Sequence, residues 1–116
     1  MIRYTIERIV DSDEKVLIEG WAIDKLPVDI ILYNGKQKLE CSITRIPRGD
    51  VLASVHVQTS DNEVGFRIEA DGVSSKNLRI VFQTQENRVV YKLNSRWNGL
   101  HIRLFAKLIP YLKRNG

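Results

Sequence analysis

The sequence contains one cysteine, Cys41, and two histidines, His56 and His101, which excludes a disulfide framework within the chain and a zinc site built on cysteine pairs. No apolar run approaches the ~20 residues that cross a bilayer. Residues 1–15 lack the basic start and apolar stretch of a signal peptide. With 116 residues, the chain has room for one domain with an ordinary core. We expect it in the cytoplasm, with the inner face of the membrane as a peripheral alternative.

The motifs that support catalysis are also missing. No glycine-rich phosphate loop follows a predicted strand, and neither G-x-S-x-G nor H-E-x-x-H occurs. His56 is expected to face solvent from a strand that turns Val55 and Val57 the other way, and His101 lies far along the chain. Cys41 follows an inward-facing pattern and is expected to behave as a small buried hydrophobe. We therefore predict no enzymatic activity, no metal and no cofactor for this chain.

What the sequence does contain is a period-two alternation of apolar and polar residues, which is typical of half-buried strands. Turn-forming residues separate the segments, above all Asn34-Gly35, which favours a type I′ hairpin. About eight short strands predict an all-β fold, namely an antiparallel β-sandwich of immunoglobulin-like or jelly-roll type, with a small β-barrel as the alternative. The clear segments are 39–44, 64–70, 78–83 and 89–93, and the weaker ones are 3–10, 15–24, 28–33 and 51–58.

The charge is distributed unevenly along the chain. Residues 1–86 carry 11 Lys and Arg against 14 Asp and Glu, a net charge of −3. Residues 87–116 carry seven Lys and Arg and no acidic residue. A basic end on a mildly acidic body predicts either contact with an anionic surface or a junction with another domain.

The end of the chain changes to a helical pattern between Asn98 and Arg114. We therefore divide the chain into a β-sandwich domain at 1–95 and a basic amphipathic helix at 96–116, which is expected to link to a downstream domain. The apolar side is wider than one surface helix needs, so the body, a second copy, a membrane or a downstream domain must cover it. The residues predicted to contact a membrane or partner are Leu100, Arg103, Leu104, Lys107, Leu108, Lys113 and Arg114.

Three short clusters stand out within the predicted strands: Gly20-Trp21-Ala22-Ile23-Asp24, Arg48-Gly49-Asp50-Val51 and Val64-Gly65-Phe66-Arg67-Ile68. A structural interpretation comes first for each. We expect Trp21 to anchor the core or its edge, since one strand position can bury a large aromatic. Arg48 and Asp50 are expected to form a salt-bridged turn. Gly65 is expected to mark a bulge or a close contact with Trp21.

In this order and spacing the clusters resemble a non-catalytic β-sandwich domain that accompanies glycosyltransferase domains in bacterial surface-polysaccharide synthesis proteins. The resemblance covers residues 3–94. It implies an accessory role, either positioning a transferase domain or contacting glycan or a partner protein. Because proteins of this family are longer, it also implies a downstream glycosyltransferase domain as partner and suggests that the chain is part of a longer protein.

Sugar-binding sandwiches combine aromatic faces with planar polar groups, since a sugar ring offers both C–H patches and hydroxyls. The candidate aromatic platforms are Trp21, Tyr33 and Trp97, and the candidate polar partners are Arg48, Asp50 and Arg67. Three alternatives stay open: a tail helix lying on anionic lipid, a small barrel that binds nucleic acid, and a homodimer sealed by the tail. Nucleic acid is the least favoured as a purpose, because the sheet region is net acidic and its aromatics mostly follow the core pattern.

Overall fold

A computed structural model describes residues 1–93. The elements are β1 (Arg3–Ser12), β2 (Lys15–Ile23), β3 (Asp29–Asn34), β4 (Gln37–Lys38), β5 (Ser42–Ile46), α1 (Gly49–Val55), β6 (Gly65–Asp71), a 3-10 turn (Ser75–Asn77), β7 (Leu78–Gln83) and β8 (Arg88–Lys92). The helix predicted at 96–116, its seven predicted contact residues and Trp97 lie outside the described residues.

The strands form two antiparallel sheets of four strands each. The first sheet has the order β1-β2-β6-β5 and the second has the order β4-β3-β7-β8. The prediction of a mostly β, antiparallel fold is therefore confirmed. Within residues 1–93 no strand pairing joins the two sheets, so the described part of the chain does not form the closed barrel given as the alternative.

One apolar core lies between the inner faces of the two sheets. The rings of Phe66 in the first sheet and Phe82 in the second lie 5.7 Å apart, and Tyr4 stacks on Phe82 at 4.8 Å. Leu39, Cys41 and Ile43 pack against this core as the alternation predicts, but all three are only partly buried, including Cys41, which was expected to be buried. Burial raises the pKa of the Cys41 thiol. The other inward-facing residues of the core include Ile6, Ile9, Ile18 and Ile68 from the first sheet and Leu32, Leu78 and Ile80 from the second.

The chain reverses through two tight turns of different type, one between β1 and β2 and one between β3 and β4. Asp13 and Glu14, with φ of 50° and 59°, connect β1 to β2 in the pattern of a type I′ turn, although neither is glycine. The hairpin at Asn34-Gly35 forms where predicted, but Asn34 belongs to β3 and the loop residues are Gly35 and Lys36. Only Gly35 has a positive φ, at 64°, which is the type II′ pattern and corrects the predicted type I′ turn.

The predicted strand at 51–58 is wrong, because residues Gly49–Val55 form helix α1. Val51 and Val55 satisfy a strand pattern and a helical spacing of four equally well. The helix forms because it buries Val51 against Ile23 and Val64, and the segment pairs with no strand of either sheet. His56 ends the helix in the left-handed conformation and is exposed. Its side chain therefore faces solvent as predicted, but from the end of a helix and not from a strand.

The strand predicted at 39–44 is shorter than expected, because residues 39–41 lie between β4 in the second sheet and β5 in the first. β4 pairs with β3 in the second sheet, whereas β5 pairs with β6 in the first. Residues 39–41 cross from one sheet to the other while keeping their inward-facing side chains on the core. The alternation is therefore read correctly, but the exchange of sheets is not.

Candidate functional site

A bulge in β1 shapes the outer face of the first sheet. The pairing of β1 with β2 shifts between Ile6 and Arg8, which leaves Glu7 as an extra residue. Gly20 lies opposite Ile6, and a Cβ atom there would collide with the carbonyl oxygen of Thr5. Glycine at position 20 therefore allows the two backbones to approach at the bulge.

Arg48 links this bulge to the start of helix α1. Its Nη1 and Nη2 donate to the two carboxylate oxygens of Glu7 at 2.7 and 3.1 Å, and its Nε and Nη2 donate to Asp50 at 2.9 and 2.8 Å. The hydrogen bonds from Arg48 hold the pKa of the Asp50 carboxyl below its ordinary value. We refer to Glu7, Arg48 and Asp50 as the Arg48 cluster. The predicted salt-bridged turn is confirmed, and Glu7 is the partner that the sequence did not reveal.

Glycine at position 65 leaves space for the Arg48 side chain to cross the sheet. A Cβ atom at this position would lie 2.6 Å from Cγ of Arg48 and 2.9 Å from the carbonyl oxygen of Ile46. Gly65 pairs with Trp21 on the neighbouring strand without a shift of register. The close contact predicted at Gly65 is therefore real, but the side chain that requires it is Arg48 and not Trp21.

The three sequence clusters together hold helix α1 on the outer face of the first sheet. Trp21 is partly buried and packs on the small cluster of Ile23, Val51 and Val64, as expected of a structural anchor. Nη1 of Arg3 donates to the Val55 carbonyl at 3.1 Å and so occupies an acceptor at the helix end. The motif residues thus perform a structural task at this position.

Two further polar residues tie the loops to the sheets. Asp24 is buried and accepts hydrogen bonds from the backbone N–H of Lys25 at 2.8 Å and from Nδ2 of Asn87 at 2.9 Å. Burial alone would raise the pKa of Asp24, but these bonds and the nearby terminal ammonium outweigh it and lower the pKa. Arg45 donates to the carbonyls of Val28 at 2.7 Å and Glu63 at 2.9 Å. No local sequence pattern marks Arg45, because its partners are far apart in the chain.

A charged ladder crosses the first sheet beside the Arg48 cluster. Glu19 lies between two arginines, with Arg8 Nη1 at 3.2 Å and Arg67 Nη2 at 2.9 Å from its carboxylate oxygens. Arg67, predicted as a ligand-binding residue, is thus engaged by Glu19. It also lies on the wall of the open groove described below.

An open groove of about 800 Å³ lies where the β1–β2 turn, the end of β6 and the crossover before β5 meet. Glu69 lies near its middle, since its register partners Leu17 and Ser42 also line it. Within residues 1–93, no side chain and no backbone N–H donates a hydrogen bond to the carboxylates that line the groove. The lining contains the carboxylates of Asp13, Glu40, Glu69 and Asp71, the cations Lys15 and Arg67, the hydroxyls of Ser12 and Ser42, and the apolar Val10, Val16, Leu17, Cys41 and Ala70.

The predicted ligand-binding residues do not converge on one place. Tyr33 lies on the second sheet, away from Trp21 on the first, and Trp97 is outside the described residues. Arg48 and Asp50 bind each other and Glu7. Of the five predicted residues that the structure describes, Arg67 alone lines the groove. Ligand contact by the others stays a prediction. The sequence does not predict the groove, because three distant segments form it.

No protein-family model matches the chain, and no curated protein matches it. In the described part of the chain, no three His, Cys, Asp or Glu side chains are grouped as metal ligands. None of the helices there is long and apolar enough to cross a bilayer. The surface must therefore be interpreted from its own chemistry.

Proposed function

We propose that this chain is a non-catalytic β-sandwich domain, of immunoglobulin-like or jelly-roll type, that contacts glycan through the groove at the end of the first sheet. The observation that carries the proposal is a groove of about 800 Å³ whose carboxylates have no partner within residues 1–93. Small-molecule sites typically span ~300–1,000 Å³. Such a groove has room for a short oligosaccharide.

The lining offers what sugar rings require. Each sugar hydroxyl both donates and accepts a hydrogen bond, and the groove supplies four carboxylate acceptors, two cationic donors and two serine hydroxyls. Val10 and Leu17 add an apolar surface for C–H groups. Because the carboxylates outnumber the cations, neutral or amino sugars are favoured over acidic ones. Among residues 1–93 no aromatic side chain lines the groove, so we expect weak binding.

The accessory role beside a glycosyltransferase domain rests on the resemblance of the three sequence clusters. Those clusters surround Arg48 and helix α1, and they do not line the middle of the groove. On this proposal the shared residues maintain the fold, while the groove supplies the contact that differs between relatives. The role needs no catalytic group in the described residues.

A titration of the full chain with neutral and amino-sugar oligosaccharides, followed by amide chemical shifts in NMR spectra, tests the proposal. We expect the shifts to move at Leu17, Ser42 and Glu69. Glu69→Ala is expected to weaken binding about tenfold, since hydrogen bonds to charged groups contribute ~1.5–3 kcal/mol. The control is Glu86→Ala, an exposed acid in the β7–β8 turn. The absence of any shift, or shifts confined to the second sheet, would refute a glycan site in the groove.

A further inference from the structure

The outer face of the second sheet carries its own pattern. Leu32, Ile80 and Phe82 face the core, so the alternate positions of β3 and β7 face outward. The register then aligns three outward rows across the strands. We define the basic row as Lys38, Tyr33, Arg79 and Lys92, the apolar row as Ile31, Val81 and Val90, and the third row as Asp29, Gln83 and Arg88.

The cations on this face have no partners of their own. Among residues 1–93, the side chains of Lys38, Arg79 and Lys92 make no ion pair or hydrogen bond, and neither does Arg88. On the first sheet, by contrast, Arg8, Arg48 and Arg67 each bind a carboxylate. The four cations of the second face share it with a single acidic residue, Asp29. The four cations and Asp29 leave this face with a net charge of +3 among the described residues.

The apolar row lies between the basic row and the third row, so it is flanked by cations on both sides. Val81 is only 2% exposed even though it belongs to the outward face and to neither core cluster. Ile31 and Val90 are partly buried beside it. The row is therefore largely covered, and the accessible part of this face is formed mainly by the cations beside it, with Lys38, Arg88 and Lys92 exposed.

We propose that the outer face of the second sheet binds an anionic lipid bilayer. The exposed charge suits acidic lipid headgroups, and because the apolar row is covered, the binding is electrostatic and lies at the membrane surface. A single-stranded nucleic acid would need several stacking aromatics, and Tyr33 is the only aromatic in the three rows. The sequence after residue 93 adds five Lys and Arg and no acid. This function is independent of the glycan groove on the first sheet.

Cosedimentation of the full chain with vesicles tests the lipid face. We expect binding to vesicles of phosphatidylcholine with phosphatidylglycerol and little binding to phosphatidylcholine alone. Lys38→Gln combined with Lys92→Gln should weaken binding about 25-fold, because each basic residue at an anionic surface contributes about fivefold. Adding Arg79→Gln should extend the loss to about a hundredfold. Higher salt should weaken the wild-type interaction.

Lys25→Gln combined with Lys76→Gln is the matched control, since both lysines are exposed, lie outside the second sheet and make no side-chain bond within residues 1–93. It removes the same charge and should leave binding within about threefold of wild type. Thermal melting checks that the variants are folded. Equal losses in the two double variants, no loss in either, or equal binding to neutral vesicles would each overturn the proposal. So would failure to bind vesicles together with binding to single-stranded DNA that the Lys38 and Lys92 changes weaken.

Discussion

The two outer faces of this molecule use their cationic side chains differently. On the first sheet, Arg48 and Arg67 are held by carboxylates, and helix α1 is fixed over one end. On the second sheet, Arg79 and Lys92 lie beside each other with no carboxylate partner in the described residues. Paired charges stabilise a fold and fix side-chain positions, whereas unpaired charges of one sign are available to a ligand. The charges of the first face therefore serve the architecture, with the groove at its far end, and we propose that those of the second face contact an anionic surface.

The largest expected effect is at the backbone contact that permits the bulge on the first face. Gly20→Ala should lower the free energy of unfolding by about 3 kcal/mol, because the new Cβ collides with the Thr5 carbonyl and forces the strands apart. Denaturant unfolding measures the change. Gly49→Ala is the control, since a Cβ there meets nothing within 4 Å and should stabilise helix α1 slightly. A Gly20→Ala protein as stable as wild type would show that the two strands are farther apart than described.

The second prediction compares a paired and an unpaired arginine directly. Arg48→Ala should lower the free energy of unfolding by about 2 kcal/mol, since it leaves the partly buried Glu7 carboxylate without its partner. Arg79→Ala on the second sheet should change it by at most about 0.5 kcal/mol. Urea unfolding of both variants measures the two values. Equal losses would erase the distinction between the faces.

The third prediction concerns acid sensitivity at the Arg48 cluster. The pKa of Asp50 is lowered in the folded protein, so its stabilising contribution is full above the unfolded value near 4 and is lost as pH falls through the folded value. Asp50→Ala should therefore cost about 1 kcal/mol at pH 7 and progressively less in acid. Melting temperatures across the pH range measure the convergence. Asp29→Ala, on the second face, should follow the wild-type curve, and a constant offset for Asp50→Ala would contradict the ion-pair account.

Much of this architecture could be predicted from the sequence, because strand alternation is a local signal. The inward positions of Cys41 and Ile43 followed directly from it. Helix α1 could not be found in this way, since seven residues span fewer than two helical turns and its valines also fit a strand. The change of sheet between β4 and β5 could not be predicted for a related reason, because a chain can pass from one sheet to the other without changing its alternation.

The candidate sites were harder to predict because they depend on register. Glu7 reaches Arg48 through the bulge, and the only local signal is the spacing of three between the inward-facing Ile6 and Ile9. Arg48 and Asp50 were paired correctly because they are two residues apart. The groove and the basic row combine positions from three or four strands, and a shift of one residue in any strand would separate them.

The smallest expected effect lies in the charged ladder of the first face. Arg67→Gln removes one of two arginines from Glu19, and Arg8 remains to hold the carboxylate. Because Arg67 is 46% exposed by side chain, the loss of stability should be about 0.5 kcal/mol and should diminish as salt is added. Lys92→Gln, with no partner to lose, should show neither the loss nor the salt dependence in denaturant unfolding. A larger effect at Lys92 than at Arg67 would mean that the second face pairs its charges after all, and its availability to anionic lipid would then have to be abandoned.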